Sequence, residues 1–160
     1  MSEYEGHLRA PNGRIAIVAA RFNELVVEPL IAGARDALRR HGVRADDVDL
    51  LRCPGAYELP LSCQQLLARS EHVGVVALGC VIRGATTHYE HVCNAASNGL
   101  LRVSLDSGVP IAFGVLTVDS LDQAFERAGS KAGNKGAEAA IALLEQIDLG
   151  RQLQQGRDDG

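Results

Sequence analysis

Residues 83–88 read Arg-Gly-Ala-Thr-Thr-His, the residue types that hold an anion. A glycine, two hydroxyls and backbone N–H groups lead into a helical pattern. The unpaired amides and the dipole of a helix N-terminus attract phosphate. Thr87 reads equally well as an ordinary helix cap. His88 carries an imidazole whose unperturbed pKa of about 6.5 suits proton transfer. His88 and His91 stand one turn apart, with Glu90 and Cys93 close by. Neither H-x-x-E-H nor H-E-x-x-H is present, and two histidines without a third placed ligand read as solvated surface, so no metal is expected. Phe22, beside Asn23, follows an apolar run. An aromatic there is either a hydrophobic plug or a surface for stacking on a planar ring. Taken singly, Glu58 reads as a favourable charge in the first turn of a helix, and Arg127 as a solvated cation near a helix C-terminus. Lys131 and Lys135 lie in a glycine-rich loop. That loop, 129–136, lacks P-loop spacing and follows a helix, and 79–84 is not G-x-G-x-x-G, so neither reads as a nucleotide site.

A short β-branched run at 14–20 reads as a strand buried on both faces, and 48–53, 73–80 (the most apolar) and 111–118 read as further strands. Helical patterns separate them. Leu30, Ile31, Ala34, Ala37 and Leu38 recur at spacings of three and four, and His41-Gly42 stops that helix. Glu58-Leu59-Pro60 opens a second helix with proline in its first turn. A long helix is expected over 88–107. Ser120 and Gln123 fit a capping box for a short helix ending at Gly129, and an alanine-rich helix follows over 136–149. The alternation predicts an α/β fold: a four-stranded parallel sheet with helices on both faces, a three-layer αβα sandwich. A single domain spans 1–160, with an N-terminal arm at 1–11 and a polar, frayed tail at 151–160. Ligands of such sheets bind beyond the carboxyl ends of the strands. Arg21, Phe22 and Asn23, then Pro54 to Glu58, then Cys80 to His88 are expected there, and Phe113 of the fourth strand is placed on the same edge.

The 160 residues are 46% hydrophobic and 22% charged, which excludes a disordered chain. Sixteen Lys and Arg against twenty Asp and Glu give a net charge of -4, so a basic nucleic-acid binder is not expected. The longest apolar run, 73–82, is about half the roughly 20 residues of a membrane helix, so no membrane partner is expected. The first residues do not read as a secretory signal. Cys53, Cys63, Cys80 and Cys93 contain no C-x-x-C pair and are expected to be reduced, in a cytoplasm.

The joint order of several stretches says more than any one of them. Ala-Arg-Phe-Asn ends at Asn23 and Pro-Gly-Ala-Tyr-Glu-Leu-Pro ends at Pro60. Ala-Leu-Gly-Cys-Val-Ile-Arg-Gly-Ala-Thr-Thr-His-Tyr-Glu ends at Glu90. Phe-Gly-Val-Leu-Thr begins at Phe113, and Arg-Ala-Gly-Ser-Lys-Ala-Gly-Asn-Lys-Gly begins at Arg127. From about residue 12 to residue 149 the chain resembles the 6,7-dimethyl-8-ribityllumazine synthase family. The resemblance implies a flavodoxin-like fold and a transferase of riboflavin biosynthesis, acting at the penultimate step. Such enzymes condense two small molecules, 5-amino-6-(D-ribitylamino)uracil and 3,4-dihydroxy-2-butanone 4-phosphate, to 6,7-dimethyl-8-ribityllumazine, phosphate and water. No redox step occurs and no cofactor is implied.

By the same resemblance, Phe22 stacks on the pyrimidine. Asn23, Ala56, Tyr57 and Glu58 bind that substrate, and Cys80, Val81 and Ile82 hold its ring edge largely through backbone groups. Ala85, Thr86 and Arg127 hold the phosphate of the butanone. His88 transfers protons, and Phe113 and Lys135 come from a neighbouring subunit. Tyr57 and Cys80 stand where Phe and Thr are commoner in the family. The resemblance further implies a homopentamer, with the segment Tyr4-Glu-Gly-His-Leu8 adding a strand to a neighbour's sheet. The short 129–136 loop goes with an icosahedral shell, and riboflavin synthase is an implied associate. The alternative is a non-catalytic flavin- or lumazine-binding or shell-forming protein of the same fold, against which His88 and Arg127 both argue.

Overall fold

A computed structural model of the chain describes residues 1–69 and 71–158. Strand β1 (Arg14–Ala20) leads to helix α1 (Glu24–Arg40), and β2 (Val48–Cys53) leads through a 3-10 turn (Ala56–Glu58) to α2 (Leu59–Arg69). Then come β3 (His72–Ile82), α3 (His88–Ser107), β4 (Ile111–Val118) and α4 (Leu121–Arg127). A small antiparallel pair, β5 (Ala128–Ser130) and β6 (Gly133–Asn134), precedes α5 (Lys135–Asp158).

The main sheet has the order β2-β1-β3-β4 and every pairing in it is parallel. Side chains alternate across it, as the period of two requires. Ile15, Ile17, Ala19, Val76, Leu78 and Cys80 pack with α1 and α5, together with Leu30, Leu38, Leu143 and Leu144. Ala16, Val18, Ala20, Val75 and Ala77 face α2 and α3, together with Leu59, Cys63, Ala96 and Leu100. This is the expected three-layer αβα sandwich with helices on both faces. At Gly136 a Cβ would collide with the Leu30 carbonyl oxygen, so glycine lets the start of α5 lie against α1.

Two expectations need correction. The third strand does not stop at Cys80. It runs to Ile82, because β4 continues the ladder through Val81↔Thr117 and Ile82↔Val118. The last helix does not end at Leu149 and fray from Arg151. It continues to Asp158, held where Arg151 and Gln152 donate to Asp148 at 2.9 Å each; Asp159 and Gly160 lie outside the described residues. The arm at 1–11 joins no strand of the chain's own sheet and lies along α5. There the His7 N–H donates to Asp148 at 2.8 Å, Gln152 donates to the Glu5 carbonyl at 2.7 Å, and Arg9 pairs with Asp148 at 3.1 Å.

Candidate functional site

The carboxyl ends of β1, β2 and β3 are tied into one rim by backbone bonds that outrun the strands. Arg21 N–H donates to the Cys53 carbonyl at 2.8 Å, and Phe22 N–H to the Pro54 carbonyl at 3.1 Å. The chain then turns sharply at Asn23, which has φ 61° and ψ 46°. Among non-glycine residues Asn tolerates this left-handed region best, because its short polar side chain bonds locally. Its carbonyl accepts the N–H groups of Val26 and Val27, which starts α1. Its side-chain Nδ2 crosses to the Cys80 carbonyl at 2.8 Å, bracing β1 against β3. This turn leaves the Phe22 ring 72% exposed. A plug would be buried; the exposed ring suits stacking on a planar ligand.

On the β2 side, Ala56 is buried while Tyr57 and Glu58 face outward. The Glu58 carboxylate folds back over Gly55, where a Cβ would stand 3.2 Å from Oε2. Cys80 is 3% exposed and its thiol belongs to the core under α1 and α5. Desolvation pushes that thiol up to about 11. Any contact a ligand makes with residue 80 therefore falls to its backbone, and the commoner Thr hydroxyl is not missed at the surface.

Past β3, Gly84, Ala85 and Thr86 are exposed and lead to His88, the first residue of α3 and itself exposed. Thr87 occupies the cap position but its side chain makes no capping bond. Thr86 Oγ1 instead accepts the His88 N–H at 3.4 Å. The first turn of α3 thus keeps donor groups for an anion. Arg83 anchors this turn, its N–H donating to the Val118 carbonyl at 2.8 Å. Its guanidinium pairs with Asp119 at 2.8 Å and Glu90 at 2.6 Å and lies 4.4 Å from the centre of the Tyr89 ring. Glu90 is held below the usual carboxylate range by its own backbone N–H and by Arg83.

Arg127 and Lys135 lie beside β4, whose Thr117 and Val118 pair with Val81 and Ile82 of the rim. They line a cavity of about 350 Å³ beside the edge strand β4, with Thr117, Ala132 and Glu138. Arg127 donates to the Gln123 carbonyl at 3.1 Å and approaches Glu126 at 3.8 Å. Among the described residues, no hydrogen bond or ion pair joins Arg127 or Lys135 to the Phe22–His88 rim. Phe113 needs a correction: it is not on the carboxyl edge. It pairs with Ala77 in the middle of β3, five residues before the end of β4, or roughly 16 Å at the usual strand rise. Its ring is 39% exposed on the outer strand.

The residues expected from the sequence therefore fall into two groups. One is the rim of Phe22, Asn23, Ala56, Tyr57, Glu58, Cys80–Ile82 and Ala85–His88. The other is the β4 flank of Phe113, Arg127 and Lys135. A cavity of about 810 Å³ lies at the opposite, amino end of the strands beside Arg9, His72, Ile111 and Asp148. Sequence reasoning missed the left-handed turn at Asn23 and the Arg83 fork. The Arg-to-Glu spacing of seven was visible, but Asp119 lies 36 residues away and only the fold brings it in. Among the described residues, no three His, Cys, Asp or Glu side chains converge as a metal site requires.

The parallel sheet order and its covering helices define a flavodoxin-like α/β protein. Residues 12–151 match the family described as 6,7-dimethyl-8-ribityllumazine synthase. The chain belongs to that family, a family of transferases in riboflavin biosynthesis. No helix of the described residues is long and apolar enough to cross a membrane.

Proposed function

We propose that this chain condenses 5-amino-6-(D-ribitylamino)uracil with 3,4-dihydroxy-2-butanone 4-phosphate, giving 6,7-dimethyl-8-ribityllumazine, one phosphate and two waters. The observation that carries the reading is the pairing, on one rim, of an exposed stacking ring at Phe22 with an uncapped helix start at Ala85–His88. Phe22 stacks on the pyrimidine. Glu58 and the adjoining Ala56 and Tyr57 receive the ribityl chain, Asn23 braces the pocket wall, and backbone groups of Cys80, Val81 and Ile82 receive the ring edge. The amides of Ala85 and Thr86 receive the phosphate.

The reaction joins an amine to a ketone, loses water to a Schiff base, expels phosphate and closes the ring. Each step moves a proton, and His88, exposed beside the phosphate turn, is the group placed to move it. The larger share of the rate comes from holding two reactants in contact, which can supply several kcal/mol.

Arg127, Phe113 and Lys135 complete the site from a second copy in this reading; it is supported by Phe113 lying mid-strand on β4, away from the carboxyl edge. Exposed Phe22, Leu25, Leu121 and Phe125 supply apolar surface for such a contact. A rim-to-flank contact is head-to-tail and closes as a ring. The ring is a pentamer in this reading, and Tyr4–Leu8 pairs with a neighbour's edge strand once it leaves α5. The tight β5–β6 hairpin favours a further, icosahedral shell of pentamers, residing in the cytoplasm and open to association with riboflavin synthase. Lumazine fluorescence after mixing purified protein with both substrates tests the activity. Product above the uncatalysed rate is expected. Ring binding without product would leave a non-catalytic binding module instead.

A further inference from the structure

We propose that Arg83 is a positioning residue for phosphate, offsetting one of the two negative charges of the carboxylates that flank the phosphate turn and thereby keeping that turn open to a dianion. This rests on the reading above that phosphate occupies residues 84–86.

The Nε of Arg83 serves Asp119, its Nη1 serves Glu90, and its face covers the Tyr89 ring. The three partners come from the end of β4 and the first turn of α3, the two elements that frame the turn. Arg83 and Glu90 are about half exposed and Asp119 about two-thirds, and exposed pairs of this kind add little to folding. What the fork does change is local charge. Glu90 and Asp119 alone place two negative charges beside the site; with Arg83 the sum is one. His91 also faces Glu90, and Arg127 is the cation expected from the neighbour. A phosphate entering beside two unpaired carboxylates would be repelled from each.

The test measures binding of inorganic phosphate by calorimetry, and separately the KM of each substrate in lumazine formation. Arg83→Gln is expected to weaken phosphate binding, and to raise the butanone phosphate KM, by roughly 3- to 10-fold at low salt, with the pyrimidine KM unchanged. Adding Glu90→Gln and Asp119→Asn to that variant is expected to restore both values. The same two changes in the presence of Arg83 should tighten phosphate binding, which keeps the idea testable if Arg83→Gln folds poorly. Weakening that the added changes do not rescue would mean Arg83 touches phosphate directly, and would overturn the proposal. So would unchanged phosphate binding in Arg83→Gln, or no phosphate binding by the wild-type chain. Phosphate binding that follows the expected order in a chain that makes no lumazine would sink the enzymatic reading and leave this one standing.

Discussion

Asn23 holds two kinds of energy that substitution can separate. Replacing it with Ala removes the 2.8 Å bond to the Cys80 carbonyl and forces an L side chain to keep φ 61°. A part-buried hydrogen bond contributes about 1 kcal/mol, and the left-handed conformation costs an ordinary residue about 1 kcal/mol or more. Asn23→Ala should therefore destabilise by about 2 kcal/mol, or about 4–8 °C in Tm for a chain of this size. Asn23→Gly loses the same bond but is at ease at positive φ, so about 1 kcal/mol is expected. Thermal melts at one fixed protomer concentration measure both, since assembly makes Tm concentration-dependent. Because Phe22 immediately precedes this turn, Asn23→Ala should also raise the pyrimidine KM more than Asn23→Gly does. If the two variants melt together, the left-handed turn stores no strain. If neither melts below wild type, the brace to Cys80 contributes nothing, and the reasoning fails at both steps.

His88→Ala should slow lumazine formation by roughly 10²-fold, the low end for a general acid–base group, because positioning survives. Complete loss in a folded, substrate-binding variant would give the histidine a larger part. Arg127→Ala should weaken the butanone phosphate far more than the pyrimidine, since a charge-assisted contact to phosphate is among the stronger polar contacts. Equal losses by calorimetry with each ligand would assign Arg127 to the fold or the interface. Asp148 is held well below the usual carboxylate range by the His7 backbone N–H, then by Gln152, Arg151 and Arg9. A depressed carboxylate contributes stability above its unfolded pKa of about 3.9 and loses it as pH falls through the lower folded value. In the unassembled chain, with the arm on α5, hydrogen exchange should therefore find the His7 amide still protected near the unfolded value, and Asp148→Asn should expose residues 4–9 at neutral pH. An unchanged arm in that variant would show that Asp148 does not anchor it.

The sandwich was legible because its determinants are local. Buried strands appear as β-branched runs, and the buried stripe of α1 contains the Leu30, Ile31, Ala34, Ala37 and Leu38 set. Ser120 Oγ accepts the Gln123 N–H at 3.2 Å, as its capping pattern implies. The Gln123 side chain, however, reaches back to the Asp119 N–H rather than to that of Ser120. What escaped depends on partners distant in sequence. The end of β3 is set by β4. The depth of Phe113 is a matter of register, which a uniformly apolar strand does not encode in its pattern. The run of α5 to Asp158 rests on the arm and on Asp148, while Gly150 and Gly156 make its sequence look interrupted. The rim residues were found as a group. Their division from Arg127, Lys135 and Phe113 became visible only with the strands in order.

The central claim is that the rim of one chain and the β4 flank of another make one lumazine-forming site. Phe22→Ser disables the rim alone, and Arg127→Glu disables the flank alone. Lumazine formation by the two variants, unfolded together and refolded as a mixture, tests the claim most directly. Random head-to-tail assembly would pair an intact rim with an intact flank at about a quarter of the contacts, so about a quarter of wild-type activity should return. A mixture no more active than its two parents would contradict the account.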